Sequence, residues 1–265
     1  MSNPRAIPWI AVLLCASVAQ GQQSADELAK QLSNPVAALI SVPLQYNADF
    51  NIGSEDGTKQ YLNIQPVIPT SISENWNLIT RVIVPVVSQD DVFGNSGSQF
   101  GLGDITPTLF FSPKQPTAAG WIWAVGPVFL LPTATDDLLG SDKWGMGPSA
   151  LALKQTSTGW TYGVLVNHIW SVAGDDKRAD ISSTYLQPFL AKGFSGGRTL
   201  SFNFESSYDW KGKQWNVPLN VSYSKVTKFG NQLVSLQGGV RYYLETPNGG
   251  PDWGVRFVLT LLFPA

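Results

Sequence analysis

The end of the chain alternates between two kinds of side chain. In 253–263, every second position from Trp253 to Phe263 is bulky and apolar, whereas the positions between them include Gly254, Arg256 and Thr260. Side chains of a β-strand point alternately to its two faces, so this pattern predicts a strand with one wholly apolar face. Such a face either packs on the core of a soluble sheet or meets lipid on the outside of a membrane barrel.

Similar strand-like runs, separated by turn residues, fill the chain from residue 36 to its end. The segments 214–227 and 233–244 also alternate clearly, whereas 121–133 and 160–172 are apolar on both faces. Periodicity and turn positions together predict twelve strands. Their ranges are 36–46, 60–70, 76–88, 100–112, 121–133, 144–155, 160–172, 181–192, 199–208, 214–227, 233–244 and 253–263.

Proline is the main irregularity in this pattern. Proline cannot donate a hydrogen bond to a β-ladder, and a closed barrel has no edge strand that would tolerate it. We therefore expect several of the prolines that fall inside or near predicted strands to mark bulges or rims. These prolines are Pro66, Pro69, Pro85, Pro107, Pro127, Pro132, Pro188 and Pro218.

One short segment before the strands has the pattern of a helix. Ser24 and Glu27 form a capping box, Leu28 and Leu32 share one helical face, and Pro35 ends the run. We predict a short N-terminal helix within 22–35. It either plugs or props the mouth of the barrel, or it is a frayed lead-in to the first strand.

The connections between the predicted strands are sorted by length and charge. The odd-numbered ones, 47–59, 89–99, 134–143, 173–180, 209–213 and 245–252, are long and acidic, and the even-numbered ones are mostly shorter. Of the 19 acidic residues, 14 lie in the odd-numbered connections. Bacterial outer-membrane barrels have an even number of strands, long external loops and short periplasmic turns. We therefore predict an all-β fold: a transmembrane, antiparallel up-and-down β-barrel of about twelve strands over 36–265, with a periplasmic C-terminus.

Composition agrees with a membrane protein. Charged residues are only 14% of the chain, where about a quarter is usual, and aromatic residues are 12% with ten Trp. Indole rings settle at membrane interfaces, and we expect Trp at the strand ends to form aromatic girdles. A Trp-rich soluble β protein, such as a carbohydrate binder, is the alternative. The net charge of −2 gives no indication of nucleic-acid binding. The girdle candidates are Trp76, Trp121, Trp160, Trp170, Trp215 and Trp253.

The first residues have the pattern of a secretory signal peptide. Arg5 precedes an apolar run over 7–18, and small residues around Ala19 offer a cleavage site, so we assign 1–21 to the signal. Cleavage would remove Cys15, the only cysteine, and with it any disulfide or thiolate site. No later stretch is long and apolar enough for a membrane-spanning helix, so a membrane form of this chain would be a barrel.

Several charged residues occupy positions that should face the lumen. Close positions of Glu205, Arg241 and Arg256 on the barrel wall would form a constriction that selects permeants. The alternative is an internal salt-bridge network that fills or braces a narrow lumen. The constriction candidates are Arg81, Asp104, Glu205, Arg241 and Arg256.

Catalytic and metal chemistry have little support in the sequence. His168 is the only histidine, and Ser171, Ser182 and Ser183 are the hydroxyls that could join it as in an outer-membrane phospholipase. A histidine beside Trp170 is also typical of a membrane interface. Acidic pairs such as Asp90-Asp91 could bind Ca²⁺ that bridges lipopolysaccharide phosphates, or could simply be solvated. We assign no catalytic residue, resident metal or cofactor and expect no enzyme activity.

Three motifs resemble a known family. They are Gly101-Leu102-Gly103-Asp104, the segment 126–135 and the aromatic segment 144–148. Together they resemble the "MetA-pathway of phenol degradation" group of outer-membrane transporters, and 35–43 and 167–180 resemble its neuromedin U-like members. The group's Pro-Thr-Gly reads Pro132-Thr133-Ala134 here. The resemblance implies a barrel that admits small, aromatic or otherwise hydrophobic compounds.

These observations lead to three functional hypotheses. The first is a porin-like outer-membrane channel or transporter for small molecules, the second a plugged structural or adhesive barrel, and the third a lipid-modifying enzyme. We expect the protein in the outer membrane of a Gram-negative envelope. Its expected partners are membrane lipid and lipopolysaccharide, the barrel-assembly machinery and a small-molecule permeant.

Overall fold

A computed structural model describes residues 23–264. The predicted signal peptide lies outside this range. The helix α1 spans Ala25–Leu32, with Ser24 as its N-cap accepting from the backbone N–H of Glu27. Sixteen β segments follow: β1 Ile40–Ile52, β2 Gly57–Ile64, β3 Val67–Ser71, β4 Trp76–Asp90, β5 Ser98–Leu102, β6 Thr106–Pro113, β7 Trp121–Leu130, β8 Lys143–Gln155, β9 Trp160–Gly174, β10 Ser182–Phe194, β11 Arg198–Phe204, β12 Ser206–Asp209, β13 Gln214–Asn216, β14 Pro218–Phe229, β15 Gln232–Tyr243 and β16 Trp253–Phe263.

The segments form one closed antiparallel sheet. Each full-length strand position around the barrel is called a stave. Four staves consist of two segments each (β2 with β3, β5 with β6, β11 with β12, β13 with β14), so the barrel has twelve staves. β16 pairs with β15 on one side and with β1 on the other, in unbroken register from Ile40 opposite Phe263 to Phe50 opposite Trp253. The predicted twelve-stranded barrel with a short N-terminal helix is confirmed. No helix of residues 23–264 is long and apolar enough to cross a membrane.

Prolines explain three of the four broken staves. Gln65, Gly103 and Glu205 lie at breaks, and the backbone N–H of each donates to a proline carbonyl on the next stave, of Pro43, Pro85 and Pro218 respectively. An ordinary hydrogen-bonded pair exchanges two bonds, but a proline has no N–H to return. The ladder is therefore interrupted at these pairs. The fourth break, at residue 217, directly precedes a proline.

Not every proline lies where the sequence suggested. Pro66 is in a break and Pro218 begins β14, but Pro69, Pro127 and Pro188 lie inside paired segments. Pro127 faces Pro148 of β8, a pair in which neither residue has an N–H. Such a pair fits the non-hydrogen-bonded positions of an antiparallel ladder, where no N–H is needed between the two strands.

The connections differ from those predicted because several strands are longer than expected. The first connection is 53–56 and not 47–59, so Asp49 belongs to β1 and not to a loop. The longest connections, 131–142 and 244–252, do lie at the end of the barrel that was predicted to be external. At the opposite end, 114–120 is as long as 91–97, which lies at the end predicted to be external. The length alternation is therefore weaker than the sequence indicated.

The barrel interior has an apolar wall and a polar wall. Inward residues of β4 and β6 to β9 form an apolar cluster that includes Ile79, Phe110 and Leu153 and that packs on Val36, which follows the helix. Across the lumen, β1 and β14 to β16 bury polar side chains, among them Asn47 and Asn220. α1 lies at the end where β16 finishes, with Leu28 buried in a second cluster that contains Leu262.

Candidate lumen site

A layer of polar side chains lies inside the lumen, on the polar wall and at the neighbouring break between β11 and β12. Period-two alternation directs Arg241 of β15 and Arg256 of β16 inward, and both side chains are only 4% exposed. Glu205, at the break, lies two strand positions from β15 and three from β16 around the barrel. β1 contributes Asn47 and Asp49, and the two tyrosines of the layer are Tyr61 of β2 and Tyr243 of β15.

Arg256 and Glu205 form the strongest contact of this layer. The two terminal nitrogens of Arg256 each donate to one carboxylate oxygen of Glu205, both at 2.7 Å. Parallel bonds of this kind are charge-assisted and fix the orientation of both planar groups. The Nε of Arg256 donates to Oδ1 of Asn47 at 2.7 Å. Arg256 therefore connects three parts of the barrel wall through a single guanidinium.

Arg241 completes the layer with tyrosine and amide partners. Its Nη1 donates to Oδ1 of Asn47 at 2.8 Å and to the hydroxyl of Tyr61, and its Nη2 donates to the hydroxyl of Tyr243 at 2.9 Å. The guanidinium carbon also lies 5.7 Å and 5.5 Å from the centres of the Tyr61 and Tyr243 rings. Its Nε is 3.5 Å from Oδ1 of Asp49. Both arginines thus meet at one amide oxygen, that of Asn47.

Arg81 lies on β4 and stands apart from this network. Its Nη2 donates to Oε1 of Gln65 at 2.9 Å, and within residues 23–264 it forms no ion pair. Arg81 lines a cavity inside the lumen, as do Glu205 and Arg256. The cavity has a volume of about 280 Å³ and extends from the polar layer to the end of α1 at Ala29 and Leu32.

The contacts of Asp104 are separate from those of the other constriction candidates. It lies between β5 and β6, where its carboxylate accepts from the backbone N–H of Ala134 at 3.2 Å and of Ser141 at 2.7 Å, and from the Ser141 hydroxyl at 2.6 Å. These contacts anchor both ends of the connection 131–142. The structure therefore brings Glu205, Arg241 and Arg256 together, leaves Arg81 at the edge of the cavity and assigns Asp104 to a loop.

The connection 131–142 is also held by the neighbouring connection 175–181. Arg178 donates to the carbonyl oxygens of Asp137, at 2.8 Å, and Gly140, and its Nε is 3.5 Å from Oδ2 of Asp142. Asp180 accepts from Nζ of Lys143 at 3.2 Å. The hydrogen bond and the charge of Lys143 keep the pKa of Asp180 below its ordinary value of 3.8. The longest connection, 131–142, is thus held from inside the lumen and from the rim.

The six girdle candidates are all exposed on the outside of the barrel, between 37% and 48%. Trp76, Trp121 and Trp160 are the first residues of β4, β7 and β9, at the end that carries α1. The other three lie near the opposite end. They are Trp170, Trp215 and Trp253.

His168 faces outward and belongs to a small hydroxyl cluster. Its Nδ1 is 2.7 Å from Oγ1 of Thr184, and its Nε2 is 3.4 Å from Oγ of Ser182. The ring stacks on Trp170 at 4.1 Å between centroids. Ser171, the nearest hydroxyl in sequence, instead donates to Asp180. The structure therefore offers Ser182 and Thr184 as the hydroxyl neighbours of the imidazole.

Sequence reasoning missed four members of the polar layer: Asn47, Asp49, Tyr61 and Tyr243. The signal for the first two was present, because Gln45, Asn47 and Asp49 continue one polar face while Tyr46, Ala48 and Phe50 continue an apolar one. The predicted end of the first strand at residue 46 concealed it.

The closed twelve-stave barrel, with outward Trp and an interior that is polar on one wall, defines the protein as an outer-membrane-type β-barrel with a porin-like fold. The chain matches the family described as "Putative MetA-pathway of phenol degradation" over residues 21–264. It belongs to that family, as its motifs indicated.

Solved structures of low sequence identity share the fold. The COG4313 outer membrane channel from Pseudomonas putida F1 is 15% identical with a TM-score of 0.68, covering 85% of this chain and 96% of that one. The NanC porin is 8% identical with a TM-score of 0.53, covering 85% and 100%. Outer membrane phospholipase A from Escherichia coli is 13% identical with a TM-score of 0.51, covering 84% and 90%. No curated protein sequence matches the chain.

Proposed function

We propose that the protein is an outer-membrane channel for small molecules. The observation that carries this proposal is the cavity of about 280 Å³ inside the barrel, bounded by α1 at one end and by the polar layer at the other. A barrel with a purely structural role would be more stable with side chains filling this space, since an unfilled interior loses packing contacts. Its polar lining of Ser, Thr, Asn and Gln suits the passage of hydrated solutes.

We propose that α1 is the removable barrier of this channel. Two polar contacts hold it to the barrel: Oδ1 of Asp26 accepts from the N–H of Gly197 at 2.6 Å, and Gln155 donates to the carbonyl of Lys30 at 2.7 Å. The rest of its attachment is apolar: Leu28 and Ala29 are buried in the second cluster, and Leu32 packs against it. An eight-residue helix with so few contacts is cheaper to displace than the layer of Arg241 and Arg256.

The finer proposal is that the permeants are small aromatic or otherwise hydrophobic compounds. The family description and the apolar side chains that line the cavity, among them Val67 and Phe189, support it. Membrane lipid, lipopolysaccharide and the barrel-assembly machinery stay the proposed partners of the outer surface and of assembly.

The test of the channel is flux through purified wild-type protein. In planar bilayers we expect discrete single-channel steps, and in proteoliposomes we expect swelling with a small solute such as glycine. Protein-free liposomes and liposomes with boiled protein are the controls. A correctly folded protein that gives neither conductance steps nor swelling would contradict the proposed channel function. Uptake of labelled phenol by cells with and without the gene then tests the aromatic permeants.

A plugged structural barrel is the second candidate, because both α1 and the polar layer cross the lumen. It predicts that cells lacking the protein take up small solutes normally but become sensitive to detergent. The channel predicts the reverse pair of results.

A lipid-modifying enzyme is the third candidate, and it rests on the 3.4 Å approach of Ser182 Oγ to Nε2 of His168 on the lipid-facing side. It predicts that purified protein releases fatty acid from phospholipid vesicles, and that Ser182→Ala and His168→Ala both abolish the release. No release by the wild-type protein supports our expectation that the protein is not an enzyme.

A further inference from the structure

The charges inside the lumen do not pair completely. Three arginines and two carboxylates line the cavity or the polar layer beside it. Glu205 is fully engaged by Arg256, and Asp49 lies 3.5 Å from Arg241. Arg81 is the guanidinium that is left over, with one amide oxygen of Gln65 as its hydrogen-bond partner among the described residues.

A guanidinium carries five N–H donors in a planar fork, and Arg81 has most of them free beside a cavity. An unpaired charge in a confined lumen is costly, so it favours a binding partner that brings both a negative charge and acceptor atoms. A carboxylate fits best because its two oxygens match the fork and form charge-assisted bonds. The other two arginines are less available. Arg256 is committed to Glu205 and Asn47, and Arg241, whose terminal nitrogens bond Asn47 and the tyrosines, does not line the cavity.

The surroundings of Arg81 define the rest of the ligand. Val67 and Phe189 line the same cavity and pack against the apolar cluster of the lumen wall, so they offer contact to a compact apolar body. Glu205 also lines the cavity and already has its full set of partners. A second negative charge on the ligand would be repelled by it. The site therefore favours one carboxylate and disfavours two.

We infer that Arg81 forms the anchor of a ligand site inside the lumen for a small monocarboxylate with a compact apolar body. This inference rests on the proposed channel for its biological meaning, because it names the class of compound that would pause in the lumen. Its test does not depend on transport.

Equilibrium dialysis of radiolabelled benzoate against folded protein in detergent micelles tests the site, with protein-free micelles as the blank. We expect saturable binding to the wild type. Arg81→Gln should weaken it about tenfold or more, because the carboxylate loses charge-assisted bonds. Arg81→Lys, which keeps the charge without the fork, should fall between. Arg198→Gln is the matched control, since Arg198 is exposed at the rim of β11 and should leave binding unchanged.

Competition separates recognition of the carboxylate from recognition of the ring. Unlabelled benzoate should displace the label, whereas phenol and benzylamine, which carry a similar ring without a carboxylate, should not. Displacement by phenol equal to that by benzoate, equal binding to Arg81→Gln, or absence of binding to the wild type would each overturn the inference. Binding without any flux would support the ligand site and contradict the proposed channel. Flux without binding would support the channel and contradict the ligand site.

Discussion

At the scale of single residues, the lumen is organised around one amide oxygen. Oδ1 of Asn47 accepts from Arg241 at 2.8 Å and from Arg256 at 2.7 Å, so one short side chain of β1 holds two long cationic ones. Glu205, three strand positions away around the barrel, then neutralises Arg256. A buried charged network of this kind is stable only while each member keeps its partners.

Glu205→Gln tests that dependence, because it keeps the size of the side chain and removes its charge. Breaking a buried ion pair typically costs about 3–5 kcal/mol, since the remaining charge is left uncompensated. We expect the variant to unfold at a lower urea concentration than the wild type. Unfolding is measured as the loss of the fast-migrating band that unboiled protein gives on a gel. Glu245→Gln, in the exposed connection 244–252, is the control and should unfold like the wild type. Equal midpoints for the two variants would contradict this account.

Two glycines on the barrel wall differ sharply in what a methyl group would meet. A Cβ on Gly126 of β7 would overlap the backbone carbonyl of Leu109, whereas a Cβ on Gly238 of β15 would be 3.8 Å from the ring of Phe257. Backbone cannot move aside as a flexible side chain can. Gly126→Ala should therefore reduce the yield of heat-modifiable barrel severely, and Gly238→Ala should fold normally. A normal yield for Gly126→Ala would show that the β6 and β7 staves can separate without loss.

At the scale of elements, prolines decide where the staves break, and the breaks create the site. Glu205 reaches the lumen from a break beside Pro218, and Gln65, the partner of Arg81, lies at a break beside Pro43. Both side chains line the lumen cavity from these interruptions.

The helix α1 is the element whose attachment is easiest to test. Leu28 is fully buried between the helix and the barrel, so Leu28→Asp would place a charge in an apolar contact and should unseat the helix. We expect larger or more frequent single-channel openings than in the wild type, with an unchanged unboiled mobility because the barrel itself is untouched. Glu27→Gln, on the exposed side of the same helix, is the matched control. Identical currents for both variants would mean that α1 does not limit the pathway.

At the scale of the whole molecule, the barrel separates three environments. Trp and other apolar side chains cover its outside, an apolar and a polar wall divide its lumen, and most acidic residues gather at the end opposite α1. That end also carries the connections 131–142 and 175–181, which hold each other through Arg178. We propose that the barrel inserts with this end outward, as outer-membrane barrels usually do.

Surface labelling checks the orientation of the whole barrel. Lys177→Cys, in the connection 175–181, should react with a membrane-impermeant maleimide on intact cells. Thr158→Cys, in the turn 156–159 at the end that carries α1, should react only after the outer membrane is permeabilised. Both positions are exposed in the structure. The reverse pattern would contradict the predicted periplasmic position of the C-terminus.

The sequence alone determined the class of fold and the faces of its most regular strands. Alternation is a local property, so it indicated the inward faces of Arg241 and Arg256 and the outward face of Phe257 without knowledge of their neighbours. The capping box at Ser24 likewise indicated α1 from residues within one turn. Family motifs added the membership that the match over residues 21–264 confirms.

Only the tertiary structure decided where strands end and which inward residues meet. β1 continues through Asp49 because it pairs with β16, more than two hundred positions away, and no local pattern carries that register. For the same reason Asp104, which shares an inward face with the other candidates, holds a loop, while Asn47, outside every predicted strand, became the centre of the layer. Closure of the barrel sets these distances, and closure is a property of the whole chain.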